Sequence, residues 1–211
     1  MLARRLALIL FLLAGVSVAR AEEGPPRIEV PVGLPIQLDG RIVDAEWEGS
    51  RPIPLADDGS TLRLMQRQGT LFLGLDTPDA WADAASIWFC FTPDTPEAGL
   101  YATGTVRIDF EPCEHNRPHL LVVRNDASGP VYVTEDAVAR SEVTGLARSV
   151  EVALRLPLIG VAADDAPPLR FAVVWMRGAQ QKAVTWPPAL RTTAPVGQRP
   201  PDLASSAAWA R

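Results

Sequence analysis

A side-chain period of two constrains this chain more than any other feature. Ser149–Leu156 sets Val150, Val152, Leu154 and Leu156 against Ser149, Glu151, Ala153 and Arg155, and a paired strand with one buried face produces that alternation. The pattern recurs at Thr61–Arg67, Leu71–Leu75, Ser86–Phe91 and Val106–Phe110. Leu120–Val123 is apolar throughout, and Val131–Val133, Leu169–Trp175 and Val184–Trp186 read as further short strands. Gln68-Gly69 and Asn125–Gly129 supply turns between them. No helical periodicity of comparable length follows the first residues, and the 20 prolines punctuate loops while being barred from central strands. The expected fold is all-β: an antiparallel β-sandwich, jelly-roll or immunoglobulin-like in its two-sheet architecture, with low helix content.

The N-terminus reads as an export leader. Arg4 and Arg5 precede the apolar run Leu6–Val18, and Ala19-Arg20-Ala21 offers a small-residue cleavage site. The run is shorter than the ~20 residues that span a bilayer, and no cysteine follows it to carry a lipid. This divides the chain into a signal peptide, 1–21, and one domain, 22–211, with a periplasmic or secreted destination and no membrane insertion. Residues 1–21 hold three Arg and no acid, so their removal takes the formal charge from −5 to about −8. Such a balance opposes nucleic-acid binding, which needs a basic face. Cys90 and Cys113 are the only cysteines, and in an oxidising compartment they are expected to pair as a disulfide.

The segment Leu34–Trp47 combines an expected strand with alternating Ile36 and Leu38, the turn dipeptide Asp39-Gly40, a short acidic stretch and a large aromatic. Asp-Gly accepts positive φ and reverses a chain sharply, so Trp47 is expected to fold back as a core wedge between the sheets. This layout resembles the N-terminal signature of family 9 carbohydrate-binding modules and related DOMON-like sandwiches. Three later segments are similar in order: Thr61–Asp79, then Trp81 and Asp83 before Ser86–Phe91, then Val150–Gly160. The resemblance implies an exported, non-catalytic binding protein for a saccharide. Members grip the sugar between two tryptophans, and Trp81 stands where the first falls. The second has no clean counterpart between Pro187 and Ala208.

Three tryptophans are therefore candidate sugar contacts: Trp81 in a loop, Trp186 at a strand end before two prolines, and Trp88 on the strand face opposite Ile87 and Phe89. No resident cofactor or metal is expected. Calcium is compatible with the acidic pairs Asp57-Asp58 and Asp164-Asp165, but neither forms an Asp-x-Asp-x-Asp-Gly loop. Cys113, His115 and His119 lack zinc-finger spacing, and two histidines are too few for a three-histidine zinc site. No phosphate loop or nucleophile elbow is present. Related sandwiches carry haem b in electron transfer, with Met and His or Lys as axial ligands. Met65, Met176, His119 and Lys182, the one lysine of the chain, supply that alternative. A third alternative is a structural envelope sandwich without a sugar site.

Overall fold

A computed structural model describes residues 26–55, 59–78, 87–94, 99, 102–111, 119–133, 137–144, 147–162, 169–177 and 182–187. The expected leader, Trp81, Cys113, His115 and both acidic pairs lie outside these residues. Among the described residues eleven strands are formed: β1 (Ile53–Pro54), β2 (Thr61–Arg67), β3 (Thr70–Thr77), β4 (Ile87–Pro93), β5 (Val106–Glu111), β6 (His119–Asp126), β7 (Gly129–Val133), β8 (Ala137–Thr144), β9 (Ala147–Arg155), β10 (Leu169–Arg177) and β11 (Lys182–Trp186). They make two antiparallel sheets, ordered β1-β2-β3-β9-β8 and β11-β10-β4-β5-β6-β7. The only helical element among the described residues is a 3-10 turn at Leu156–Ile159, and none is long and apolar enough to cross a membrane. The protein is an antiparallel β-sandwich.

Alternation dictates the packing. In the first sheet Leu64, Leu73 and Val152 share one row, and Leu62, Leu75 and Val150 the next. In the second, Val173, Phe89, Ile108 and Val122 line up across four strands. All ten are buried in one apolar cluster between the sheets. Burying side chains of this size contributes about 1.5–3 kcal/mol each. Phe91 and Phe171, cross-strand partners, stack at 4.9 Å, and Trp186 packs on Phe171 at 6.1 Å. The β2–β3 hairpin turns at Gln68-Gly69 with φ of 48° and 73°, the doubly positive turn that matches strand twist.

The N-terminal segment departs from expectation. Residues 33–38 form no ladder, and Pro35 within the run cannot donate. Instead, Ile28 and Val30 pack against the inter-sheet core, residues 31–33 run beside the edge strand β2, and the chain from Gly33 to Ser50 continues over the outer face of the first sheet as a strap. Trp47 is fully buried, but it lies outside the inter-sheet cluster, on the outward side of β3. A Cβ added at Gly74 would stand 2.8 Å from its Cζ2. The expected wedge is thus an outer cover: its indole needs a flat seat, and Gly74, between the inward Leu73 and Leu75, provides it. Met65 is fully buried on the same face, against Gly33.

One carboxylate fastens the strap. Glu151, fully buried on β9 beside Gly74, accepts from Asp39 N at 3.1 Å and Gly40 N at 3.0 Å. Trp47 Nε1 donates to its other oxygen at 3.2 Å. Gly40 has φ of 93°, so the Asp39-Gly40 reversal is present as expected and aims two N–H groups at one acceptor. Arg67 Nη1 donates to the Gly33 carbonyl at 2.9 Å and Ser50 Oγ to the Leu64 carbonyl at 2.9 Å.

Two outcomes are expected. Gly74→Ala forces the indole from its seat and lowers stability by about 1–3 kcal/mol in urea unfolding. Burial raises the Glu151 carboxyl above its ordinary 4.5, against the opposing pull of its N–H donors. The folded state therefore holds this proton more tightly than the unfolded chain, and the group's contribution to stability falls as pH rises from 4.5 through the raised value. Glu151→Gln removes that part of the pH slope, whereas Glu151→Ala strands three donors, two of them buried, and costs about 3 kcal/mol.

Candidate functional site

The second sheet turns a mixed face away from the core. On β4 the parity that buries Ile87, Phe89 and Phe91 between the sheets sends Trp88, Cys90 and Thr92 the other way. Register extends this face across the strands. One row runs Val174, Trp88, Asp109, Leu121, and the next runs Ala172, Cys90, Arg107, Val123, Tyr132. Exposure is uneven across it, and Val123 beyond Arg107 is only 6% exposed. Val174, Ala172 and Cys90 are fully buried, while Tyr132 is 65% exposed. The Arg107 and Asp109 side chains between them are 27% and 15% exposed. Trp88, half-buried, sits at the border of the closed and open parts.

At that border three side chains meet. The Arg107 guanidinium carbon lies 4.9 Å from the centre of the Trp88 ring, within cation–π range. Its Nη2 donates to Asp109 Oδ2 at 2.8 Å, while its Nε stands 2.7 Å from Oδ1 as an ion-pair contact without hydrogen-bond alignment. Asp109 is the direct cross-strand partner of Trp88, so indole face, guanidinium and carboxylate form one cluster. A guanidinium held between a ring face and a carboxylate fixes both polar groups in space. The guanidinium lies over the indole, so the face presents an apolar plane to a ligand only where Arg107 moves aside.

Cys90 closes the floor beside it. Burial pushes its thiol up to about 12; the Arg107 charge opposes that rise and Asp109 adds to it. The thiol is free, so the disulfide to Cys113 expected from compartment and cysteine count is not formed at Cys90. A mid-strand position facing Arg107 and Ala172 across the ladder seats this side chain as a small buried hydrophobe. Farther along the face, Arg170 is paired with Asp94 beside Thr92, and the Thr92 and Thr105 hydroxyls are 2.9 Å apart.

Of the candidate sugar contacts, Trp88 alone presents an indole on a partly open surface among the described residues. Trp186 is a correction: its register opposite Val173 turns it inward, where it is 5% exposed and packed on Phe171. Trp81 lies outside the described residues. Met65 is taken up by packing under Gly33. Met176 and Lys182 flank the β10–β11 turn in the backbone ladder, where Met176 pairs with Ala183 and Lys182 with Arg177. Among the described residues no three His, Cys, Asp or Glu side chains gather to hold a metal ion. Sequence reading did not single out Arg107 and Asp109. Their alternation with Val106, Ile108 and Phe110 shows that they share a face, but only register brings them to Trp88.

No family model matches the sequence, and no curated protein matches it. The Trp88 face is therefore read from its own geometry.

A pKa near 12 leaves the Cys90 thiol protonated and unreactive at neutral pH. In a Cys113→Ser variant, an aromatic disulfide reagent is expected to release no thiolate signal from the native protein, then one equivalent after guanidinium unfolding. Immediate native reaction would contradict the buried placement.

Proposed function

We propose that this protein is an exported, non-catalytic saccharide-binding sandwich, similar in plan to family 9 carbohydrate-binding modules. It takes its ligand on the open part of the second sheet's outer face. The observation that carries this reading is the half-buried Trp88 indole bordered by the Arg107–Asp109 pair. A pyranose has an apolar C–H face and a polar hydroxyl rim. An aromatic plane serves the first, and a carboxylate with a guanidinium serves the second, the mix of apolar surface and a few placed polar groups found in ligand sites. Arg107 and Asp109 stand two residues apart on β5 and pair with each other, which gathers both polar groups beside the indole. Trp81, six positions before β4 in the sequence, is a second aromatic for the same ligand under this reading. Residues 1–21 act as its cleaved leader.

The test is intrinsic tryptophan fluorescence titrated with a panel of soluble oligosaccharides. Trp88→Ala is expected to weaken binding at least tenfold, equivalent to about 1.4 kcal/mol, with the far-ultraviolet β signature retained. Trp81→Ala weakens it by a smaller factor. Unchanged affinity in Trp88→Ala moves the site off this face, and no response to any glycan in the panel overturns the saccharide reading.

A further inference from the structure

The place a ligand would take on Trp88 is already filled, and what fills it is a cation. Arg107 lays its guanidinium 4.9 Å from the indole centre and pairs with Asp109, donating to Oδ2 with Nε in ionic contact with Oδ1. Ring face and carboxylate together make a cradle for a flat or compact organic cation, because the π face attracts positive charge and the carboxylate neutralises it. Arg107 stands on the neighbouring strand, opposite Cys90, and reaches diagonally to Trp88. Its side chain is 27% exposed, so solvent reaches the fork, and its long stem lets the head leave without moving the strand.

We infer that Trp88 and Asp109 form an organic-cation site that Arg107 occupies in the free protein, and that its saccharide is a hexosamine bearing a free ammonium. This rests on the saccharide reading above and narrows it. Three ligand classes face different balances here. A neutral sugar on the ring must lift the guanidinium away and returns no charge to Asp109. An anionic sugar competes with Asp109 for Arg107 and sets a second negative charge beside a carboxylate only 15% exposed, a like-charge contact that costs binding. An ammonium on a sugar ring replaces what it displaces: the charge returns to Asp109 while the ring's C–H face covers the indole. Arg107 then swings to solvent. The formal charge of −5 over the chain also favours approach of a cation.

The experiment compares the wild type with Arg107→Ala, with Arg107→Gln as a variant that keeps much of the stem, and with the double variant Arg107→Ala/Asp109→Asn. Each is titrated calorimetrically with glucosamine tetramer, its fully N-acetylated counterpart and methylguanidinium, at two salt concentrations. Emptying the cradle is expected to tighten glucosamine tetramer binding at least tenfold over wild type in both single variants. The N-acetylated tetramer gains less, methylguanidinium binds the single variants only, and Asp109→Asn abolishes the gain. Equal binding of the charged and acetylated tetramers by the single variants overturns the cation inference and leaves the saccharide reading standing. Methylguanidinium binding without binding of either tetramer overturns the hexosamine assignment and the saccharide reading together. No gain for any cation on removing Arg107 overturns the site itself.

Discussion

Leu73 against Val152 and Phe89 against Val173 mark the rows from which the sandwich is built. The four strands that carry them, β3, β9, β4 and β10, commit alternate side chains to a single apolar seam. A slip of one residue would bring Gly74, Glu151, Cys90 and Ala172 to that seam and turn the leucines, valines and phenylalanines outward. The penalty for that exchange holds the register. It also settles what each outer face carries, because residues of the opposite parity have nowhere else to go. Trp47 finds Gly74 as a seat, and Trp88 finds Asp109 as a neighbour, as consequences of the same constraint.

The two outer faces use an indole in contrasting ways. On the first sheet, Trp47 is roofed by its own strap, and its N–H is satisfied by Glu151 at 3.2 Å. A buried indole needs such a partner, and the partner is itself an acceptor for two turn amides. That closed arrangement fits a structural fastening. On the second sheet, the Trp88 ring meets a guanidinium at a partly open border, and its carboxylate partner is 15% exposed. Groups held in place yet accessible have the character of a recognition surface. The contrast in exposure, more than the presence of tryptophan, separates the fastening from the candidate site.

Much of the fold was legible because its signal is local. The alternation in Thr61–Arg67, Val106–Phe110 and Ser149–Leu156 names the inward residues without knowledge of any partner strand. β8 escaped notice because Ala137, Ala139 and Ser141 give a weak apolar beat, and the strand is defined by its ladder to β9. The run Leu34–Leu38 misled in the opposite sense, two apolar positions with prolines nearby and no ladder. For the site, parity alone placed Trp88 opposite the core, and it also put Arg107 and Asp109 on a common face. Their meeting is a matter of register between β4 and β5, set by pairing across the intervening loop, which periodicity does not encode. Trp186 was misjudged for the same reason: its pairing with Val173 decides which way it faces. The cysteine pairing came from compartment chemistry, which carries no geometry.

The strap has a consequence beyond covering Trp47's seat. An edge strand's unpaired amides and carbonyls can recruit a second chain. Along the free side of β2, Thr61 and Leu62 are taken by the two-residue β1, the Leu64 carbonyl by the Ser50 hydroxyl, and the Gln66 amide and carbonyl by Pro31 and Gly33. Three short pieces of chain occupy that border in turn, and none is long enough to act as a template itself. The same stretch that seats the indole thus blunts the margin along which copies of this molecule would otherwise zip into fibres.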